Sequence, residues 1–108
     1  MKLSSAEELR DLPNGRFVRT TGIVTVRQRP GTAKGTVFVT LEDETGTINV
    51  IVWKHVVHTQ RIQLLSAKMM TVLGVLQRQQ NVQHLVAARI IDHSRLLGSL
   101  DLRSRDFH

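Results

Sequence analysis

The sequence contains no cysteine and no tyrosine, and its aromatic residues are one tryptophan and three phenylalanines. Without cysteine the chain forms neither disulfide bonds nor thiolate metal sites, which fits a reducing compartment. No segment reaches the roughly 20 apolar residues that a transmembrane helix needs. The first residues also lack the apolar run of a signal peptide. We therefore expect a soluble, cytoplasmic protein that makes no contact with a membrane.

Positive charge is what the chain has in excess, with 15 Lys and Arg against 9 Asp and Glu and a formal net charge of +6. Eleven of these cations are Arg, whose planar guanidinium suits phosphate and stacks on bases. A polyanion is therefore the first partner to consider. An acidic protein partner, or solubility alone, would also account for the charge. The length of 108 residues indicates one domain with a single modest core.

The pattern of apolar residues predicts a short helix, three strands, a second helix and two further strands. Ser4 and Ser5 each begin a Ser-x-x-Glu capping signature, and Pro13-Asn14-Gly15 is a strong turn signal that ends the first helix. After this turn the alternation of side chains has a period of two, which is typical of strands. The predicted strands cover residues 16–26, 36–42, 47–53, 68–76 and 82–91, and the second helix covers 54–65.

Five strands with a helix between the third and the fourth is the topology of the OB fold, a partly open Greek-key barrel. We therefore predict an all-β fold: a five-stranded OB-fold Greek-key barrel with one helix between strands 3 and 4 and a short N-terminal helix. Residues 1–15 would form the N-terminal helix and turn, 16–93 the barrel and 94–108 a C-terminal tail. Gly22, in the middle of the first strand, indicates a sharp bend or a bulge at a barrel corner.

The binding face of an OB fold centres on strands 2 and 3 and is flanked by the loops between strands 1 and 2 and between strands 4 and 5. These loops are predicted at residues 27–35 and 78–81, and both carry basic side chains. The candidate nucleic-acid-binding residues are Arg27, Arg29, Lys34, Phe38, Trp53, Arg78 and Arg89. The first loop would bring cations and glycine backbone close to phosphate. The alternative for both loops is a solvated turn without a specific ligand.

Phe38 and Trp53 are the aromatic side chains nearest to this face. Strict alternation places Phe38 opposite to Val39 and Leu41, which belong to the core set, and so on the outer side of its strand. Exposed aromatics on OB strands stack on bases. A lone aromatic near the end of a strand is equally often a plug of the barrel, and both interpretations stay open. So few aromatics indicate moderate or weak affinity.

Catalytic and metal-binding interpretations find little support in the sequence. Glu42-Asp43-Glu44 precedes Gly46 and is typical of a turn, in which Asp43 accepts backbone N–H groups and Gly46 supplies a positive φ. His55 and His58 are three residues apart, but no third ligand follows at a spacing that zinc needs. We expect no catalytic residue, no metal and no cofactor.

Two stretches, residues 22–35 and 38–46, closely resemble the OB-fold module of bacterial C-family DNA polymerase catalytic subunits. Within that family the chain is most similar to the C-terminal region of the error-prone, damage-tolerant members. Residues 49–53 and 84–87 and the ending 103–108 match as well. The middle motif also occurs in the OB modules of aminoacyl-tRNA synthetases, whereas the loop at 27–35 and the ending are more specific.

The resemblance implies that the chain is part of a much longer polymerase, in which it holds single-stranded template ahead of the active site or otherwise tethers DNA. The metal-binding aspartates of such a polymerase belong to a palm domain, so catalysis is not expected here. Single-stranded DNA, the remainder of the polymerase and damage-tolerance accessory proteins are the implied partners, in the bacterial cytoplasm. The alternative is a protein-docking module within the polymerase, and RNA binding is a third hypothesis.

Overall fold

The computed structural model describes residues 2–31 and 34–96, which form five strands and three short helices. The elements are α1 (Ala6–Arg10), β1 (Phe17–Gln28), β2 (Val37–Asp43), β3 (Gly46–Val52), α2 (Lys54–Thr59), α3 (Arg61–Ser66), β4 (Met69–Gln79) and β5 (Val82–Asp92). The predicted order of strands and helical segments is confirmed. Most of the predicted C-terminal tail, including the ending 103–108, lies outside the described residues, as do two positions of the predicted loop at 27–35.

The helix α1 begins at a capping box, as the Ser-x-x-Glu signature predicts, and Ser5 rather than Ser4 is its N-cap. The Glu8 backbone N–H donates to Ser5 Oγ at 3.2 Å, and the Ser5 backbone N–H donates to Glu8 Oε1 at 2.9 Å. That backbone bond, followed by the charge of Lys2, lowers the pKa of the Glu8 carboxyl. A helix of five residues is not stable alone. It is retained because Ala6 and Leu9 are buried in the core.

The five strands close into a barrel in the order β1-β2-β3-β5-β4, and β1 completes the circle by pairing with β4. All pairs are antiparallel except β3 with β5. The strand β1 bends where it passes from β4 to β2, and Ile23 pairs with both neighbours. A Cβ atom on Gly22 would lie 3.0 Å from the Glu42 carbonyl oxygen and from the Leu41 Cβ. The predicted corner at Gly22 is thus a close approach of two strands, with the bulge between Val24 and Val26.

The core lies inside the barrel and is closed at its ends by the helices. Alternate residues of the strands point inward, which is why their apolar residues recur with a period of two. The fully buried side chains of the strands are mostly aliphatic: Val39, Leu41, Val50, Val52, Met70, Val72, Leu76, Leu85 and Ile90. Leu9 and Leu64 contribute from α1 and α3. No helix in the described part of the chain is long and apolar enough to cross a membrane.

The helix predicted at 54–65 is two helices, α2 and α3, separated at Gln60 (φ −126°, ψ 34°). The cause is a tertiary contact. The Gln60 amide group donates to the Ile90 carbonyl oxygen at 3.1 Å and accepts from the Ile90 N–H at 2.6 Å. Thr36 also differs from expectation, because β2 begins one residue later and Thr36 is buried at 5% exposure.

Candidate nucleic-acid interface

The outer face of β2 and β3 carries a row of side chains in direct register across four strands. Gln28 of β1 is opposite Phe38 of β2, Phe38 is opposite Ile51 of β3, and Ile51 is opposite Val86 of β5. Opposed residues of paired strands point to the same side of a sheet. Because their neighbours along each strand are buried, Phe38, Ile51 and Val86 point outward and are half-buried. The position that alternation predicts for Phe38 is confirmed, and Phe38 is not a plug of the barrel.

A second, more polar row runs beside the first. Val26 of β1 is opposite Thr40 of β2, and Thr40 is opposite Asn49 of β3. Val26 and Asn49 are exposed and Thr40 is half-buried. Together the two rows form a surface of apolar side chains bordered by two amide groups, of Gln28 and Asn49, and the hydroxyl group of Thr40. Such a surface offers contacts to the faces of bases and few hydrogen bonds to their edges.

Trp53 lies where β3 ends and α2 begins. Its backbone is extended (φ −69°, ψ 158°) as the N-cap residue of α2, and no side-chain cap bond is made there. The carbonyl oxygen of Trp53 accepts the N–H groups of Val56 and Val57, which fixes the start of the helix. The side chain is 43% exposed. Trp53 therefore lies at the surface beside the Phe38 row, two residues after Ile51, and does not plug the barrel.

The β1–β2 loop places exposed Arg29 next to the helices. Arg29 lines a groove together with Gly35, Lys54, His58 and Arg61. Gly35 has a φ of +89°, and a Cβ there would lie 3.2 Å from the Lys54 Cγ, so the absence of a side chain lets Lys54 approach the loop. Lys54, His58 and Arg61 were not predicted as site residues.

Lys34 is exposed and has a positive φ of 44°. This backbone conformation is uncommon for residues other than glycine, and it belongs to the tight return of the loop toward β2. Among the described residues Lys34 has no hydrogen-bond or ion-pair partner. Its contact with phosphate stays a prediction.

Arg27 has a structural partner that sequence reasoning missed. It belongs to β1 rather than to the loop, and it reaches the C-terminal end of α3. Its Nε donates to the Leu64 carbonyl oxygen at 2.9 Å, and its guanidinium also donates to the Ala67 carbonyl oxygen. The last carbonyl groups of a helix have no partner within the helix, and a cation stabilises them. Arg27 therefore anchors α3 to the barrel, and a role in binding a ligand stays a prediction.

Arg78 has a similar role at the other end of the barrel. Its guanidinium donates to the carbonyl oxygens of Arg10 at 2.8 Å and of Leu12 at 3.4 Å, just after α1. Its backbone N–H donates to Asn14 Oδ1 at 2.7 Å. Arg78 thus joins the end of β4 to the N-terminal helix and turn. It lies apart from Arg29, because the β4–β5 turn and the β1–β2 loop are at opposite ends of β3.

Arg89 is exposed on β5, opposite Leu73 of β4 and beside a bulge in the β4–β5 pairing. It directly precedes Ile90, the residue that Gln60 holds. Arg89 therefore lies on the side of the barrel near the break between α2 and α3. Its contact with nucleic acid stays a prediction.

The acidic turn between β2 and β3 is structural, as the sequence indicates. Asp43 Oδ1 accepts from the N–H groups of Thr45 at 2.8 Å and Gly46 at 3.1 Å, and Asp43 Oδ2 accepts from the Ala6 N–H at 2.8 Å. Burial raises the pKa of the Asp43 carboxyl, but these hydrogen bonds outweigh it and the pKa lies below its usual range. Gly46 has the expected positive φ. Within residues 2–31 and 34–96, no group of three side chains could hold a metal ion.

A family profile described as "OB-fold nucleic acid binding domain" matches residues 18–92, from the second residue of β1 to the last residue of β5. The chain belongs to this OB-fold family. The match covers the barrel together with α2 and α3 and leaves out α1.

Among curated proteins, this OB-fold domain is 50% identical over 107 residues to the error-prone DNA polymerase of Aromatoleum aromaticum. It is 52% identical over 107 residues to that of Alkalilimnicola ehrlichii. Each match covers 99% of this chain and 10% of the relative. The resemblance inferred from sequence is confirmed, and the chain spans about a tenth of the length of these polymerases.

Among solved structures, asparaginyl-tRNA synthetase from Pyrococcus horikoshii, complexed with asparaginyl-adenylate, superposes on the OB-fold domain with a TM-score of 0.72. The match covers 86% of this chain and 22% of that one. At 19% identity it shows the shared fold alone.

Proposed function

We propose that this OB-fold domain binds single-stranded DNA with little sequence preference and holds the template strand for an error-prone DNA polymerase. The observation that carries the proposal is the row of Phe38, Ile51 and Val86, which lie opposite one another on neighbouring strands on the outer face of the barrel. Exposed Trp53 and the basic β1–β2 loop lie next to it. The family description and the polymerase relatives support a role in nucleic-acid binding.

The surface has the two components that single-strand binding requires. Aromatic side chains stack on bases and contribute about 1–3 kcal/mol per base, whatever the base is. Cations along the strand add a salt-dependent attraction to phosphate. Because Phe38 and Trp53 are the two aromatics near this face among the described residues, moderate or weak affinity is expected. Thr40 and Asn49 provide few polar groups for reading base edges, which is why little sequence preference is expected.

In this proposal the domain contributes binding and positioning, and polymerisation is carried out by the remainder of a longer chain in the bacterial cytoplasm. Holding the template in a fixed place favours the reaction by proximity without any chemistry in the domain itself. Damage-tolerance accessory proteins are proposed partners of that longer chain.

The test is a titration of the 108-residue chain with fluorescein-labelled oligo-dT at low and moderate salt. Trp53 is the only tryptophan of the sequence, so quenching of its fluorescence reports directly on stacking at this site. We expect Trp53→Ala and Phe38→Ala each to weaken binding by about 5- to 150-fold, the equivalent of 1–3 kcal/mol.

Phe17→Ala is the matched control, because Phe17 is also 43% exposed but lies at the far end of β1. It should change affinity less than twofold. Absence of binding by a folded wild-type chain at low salt would overturn the proposal. Equal affinity for oligo-U would extend the ligand class to RNA.

A second candidate function, docking onto the remainder of the polymerase, is favoured by α3. Ile62 is 79% exposed and Leu65 is 42% exposed, and their three-residue spacing places them on one side of the helix. A protein whose relatives are about ten times longer has other parts of its chain available to cover them. Ile62→Asp in the complete polymerase should then reduce thermal stability, while the isolated domain should be unaffected.

A further inference from the structure

A groove between the β1–β2 loop and the two helices brings together four basic side chains from three separate parts of the chain. Arg29 comes from the loop, Lys54 and His58 from α2, and Arg61 from α3. Gly35 and Val57 complete the lining as far as the chain is described, and this described lining contains no carboxylate. The loop and the first turns of α2 and α3 meet here because Gly35 leaves room for Lys54.

No described residue neutralises the cations of this groove. Among the described residues, Arg29, Lys54 and Arg61 have no hydrogen-bond or ion-pair partner, and all three are exposed. This distinguishes them from Arg27, whose guanidinium is held by carbonyl groups of α3. They also differ from Lys2, which forms an ion pair with Glu8 at the α1 end of the barrel. Clustered charges of one sign create a local field that an anion would offset.

The groove continues the outer face of the barrel. Lys54 directly follows Trp53, and Arg29 directly follows Gln28, which is opposite Phe38. Trp53 and the mouth of the groove therefore lie alongside the Phe38 row, at the end of β3 and the start of the β1–β2 loop, within reach of a strand whose bases contact that row. The β2–β3 face offers stacking, and the groove offers charge. The two surfaces supply the contacts that a single strand needs for its bases and its phosphates.

We propose that this groove binds phosphate groups of the single strand after it passes Trp53, so that α2 and α3 extend the binding site beyond the barrel face. Arg29 and Arg61 present planar guanidinium groups that bind phosphate oxygens in pairs, and Lys54 adds a point charge. The inference rests on the proposed function, because it depends on DNA occupying the outer face. An acidic peptide would suit the charge but would leave the adjoining apolar row unused.

The test compares Lys54→Gln/Arg61→Gln with the wild-type chain on oligo-dT of two lengths, about 4 and about 12 nucleotides, which span the lower range of OB-fold site sizes. Each phosphate contact contributes about −0.7 to the slope of log K against log salt for a single strand. We expect the double variant to reduce the magnitude of that slope by about 1.4 on the longer oligonucleotide. On the shorter one, which occupies the Phe38 row alone, the slope should not change.

Lys2→Gln/Arg16→Gln is the matched control, because it removes the same charge near α1, at the opposite end of β1. It should leave the slope for both lengths unchanged. Circular dichroism and thermal unfolding verify that each variant is folded. Since the substituted side chains are exposed, unfolding temperatures should agree within about 2 °C.

The outcomes separate the two proposals. If the wild type binds both oligonucleotides and the groove variant behaves like the wild type, the groove proposal is wrong and the proposed function stands. If the control variant reduces the salt slope as much as the groove variant does, binding depends on overall charge, and the groove proposal is again wrong. If the folded wild type binds neither oligonucleotide, the proposed function itself fails. If poly-glutamate binds more tightly than oligo-dT and the groove variant loses that binding, the ligand of the groove is an acidic protein partner and not DNA.

Discussion

Replacing Asp43 by alanine should destabilise the domain by about 3 kcal/mol. In the folded protein Asp43 Oδ2 accepts the part-buried Ala6 N–H, and Oδ1 accepts the Gly46 N–H together with the N–H and hydroxyl of Thr45. A hydrogen bond to a charged group contributes about 1.5 kcal/mol when part-buried and less in solvent, and the four bonds together give about 3 kcal/mol. The loss frees the N-terminus of α1 as well as the turn.

The measurement is urea unfolding at pH 7, with Glu44→Ala as the control. Glu44 lies in the same turn, is exposed, and has no side-chain partner among the described residues, so its replacement should change stability by less than about 0.5 kcal/mol. For a domain of this size 3 kcal/mol corresponds to a decrease of about 12 °C in Tm. Equal stabilities of the Asp43 and Glu44 variants would refute the assigned role of the carboxylate.

The Asp43→Ala variant should also differ from the wild type in how its stability depends on pH. The pKa of the Asp43 carboxyl is lower in the folded protein than in the unfolded chain, where the pKa of aspartate is about 3.9. Its contribution to stability is therefore complete above that value and is lost as the pH falls through the folded pKa. The difference in stability between wild type and Asp43→Ala should be constant from pH 7 to 5 and should narrow below about pH 4. A difference that widens in acid would contradict the reasoning.

Three further substitutions test the barrel and its helices by urea unfolding. Gly74→Ala should destabilise by about 3 kcal/mol, because the new Cβ would lie 2.1 Å from the Val86 carbonyl oxygen and the strands must separate. Gln60→Leu should cost about 2 kcal/mol, since it leaves the part-buried N–H and carbonyl of Ile90 unpaired. Arg27→Met should cost about 1–2 kcal/mol by removing the cation at the end of α3.

Each of these changes has a control of the same chemistry. Gly31→Ala adds a methyl group where no atom of the described residues lies within 4 Å. Gln63→Leu changes another glutamine of the α2–α3 segment, one without a side-chain hydrogen bond among the described residues. Arg29→Met removes an exposed cation with no partner there. All three should stay within about 0.5 kcal/mol of wild type. If a control variant loses as much stability as the substitution it is paired with, the contact named for that substitution is not the cause of the loss.

The strands and their order were predictable because inward and outward residues alternate along each strand, and a barrel preserves this alternation. The same regularity placed Phe38 on the outer face. The capping box at Ser5 and the turn at Asp43 were predictable since each is a contact within three residues of sequence. Local chemistry was therefore sufficient for the architecture.

The partners of the basic residues were not predictable in the same way. Arg27 reaches carbonyl groups 37 and 40 residues away, and Arg78 reaches one 68 residues away. Such contacts depend on how the elements pack and not on a local pattern. The break between α2 and α3 at Gln60 also depends on a tertiary contact. Glutamine is compatible with a helix, and it is the pair of hydrogen bonds with the Ile90 backbone that sets Gln60 apart. The grouping of Lys54 and Arg61 with Arg29 was missed for the same reason.

Closure of the barrel restricts the ways in which this domain can recognise a partner. Every strand has a hydrogen-bonded neighbour on both sides, although the parallel contact of β3 with β5 consists of two residue pairs. The five described strands therefore include none with one side wholly unpaired, which is the kind of edge to which a guest chain adds itself as a further strand. Recognition then depends mainly on side chains that project from the faces and loops. Surface substitutions can then change what the domain binds without disturbing the backbone hydrogen bonds between strands that maintain the fold.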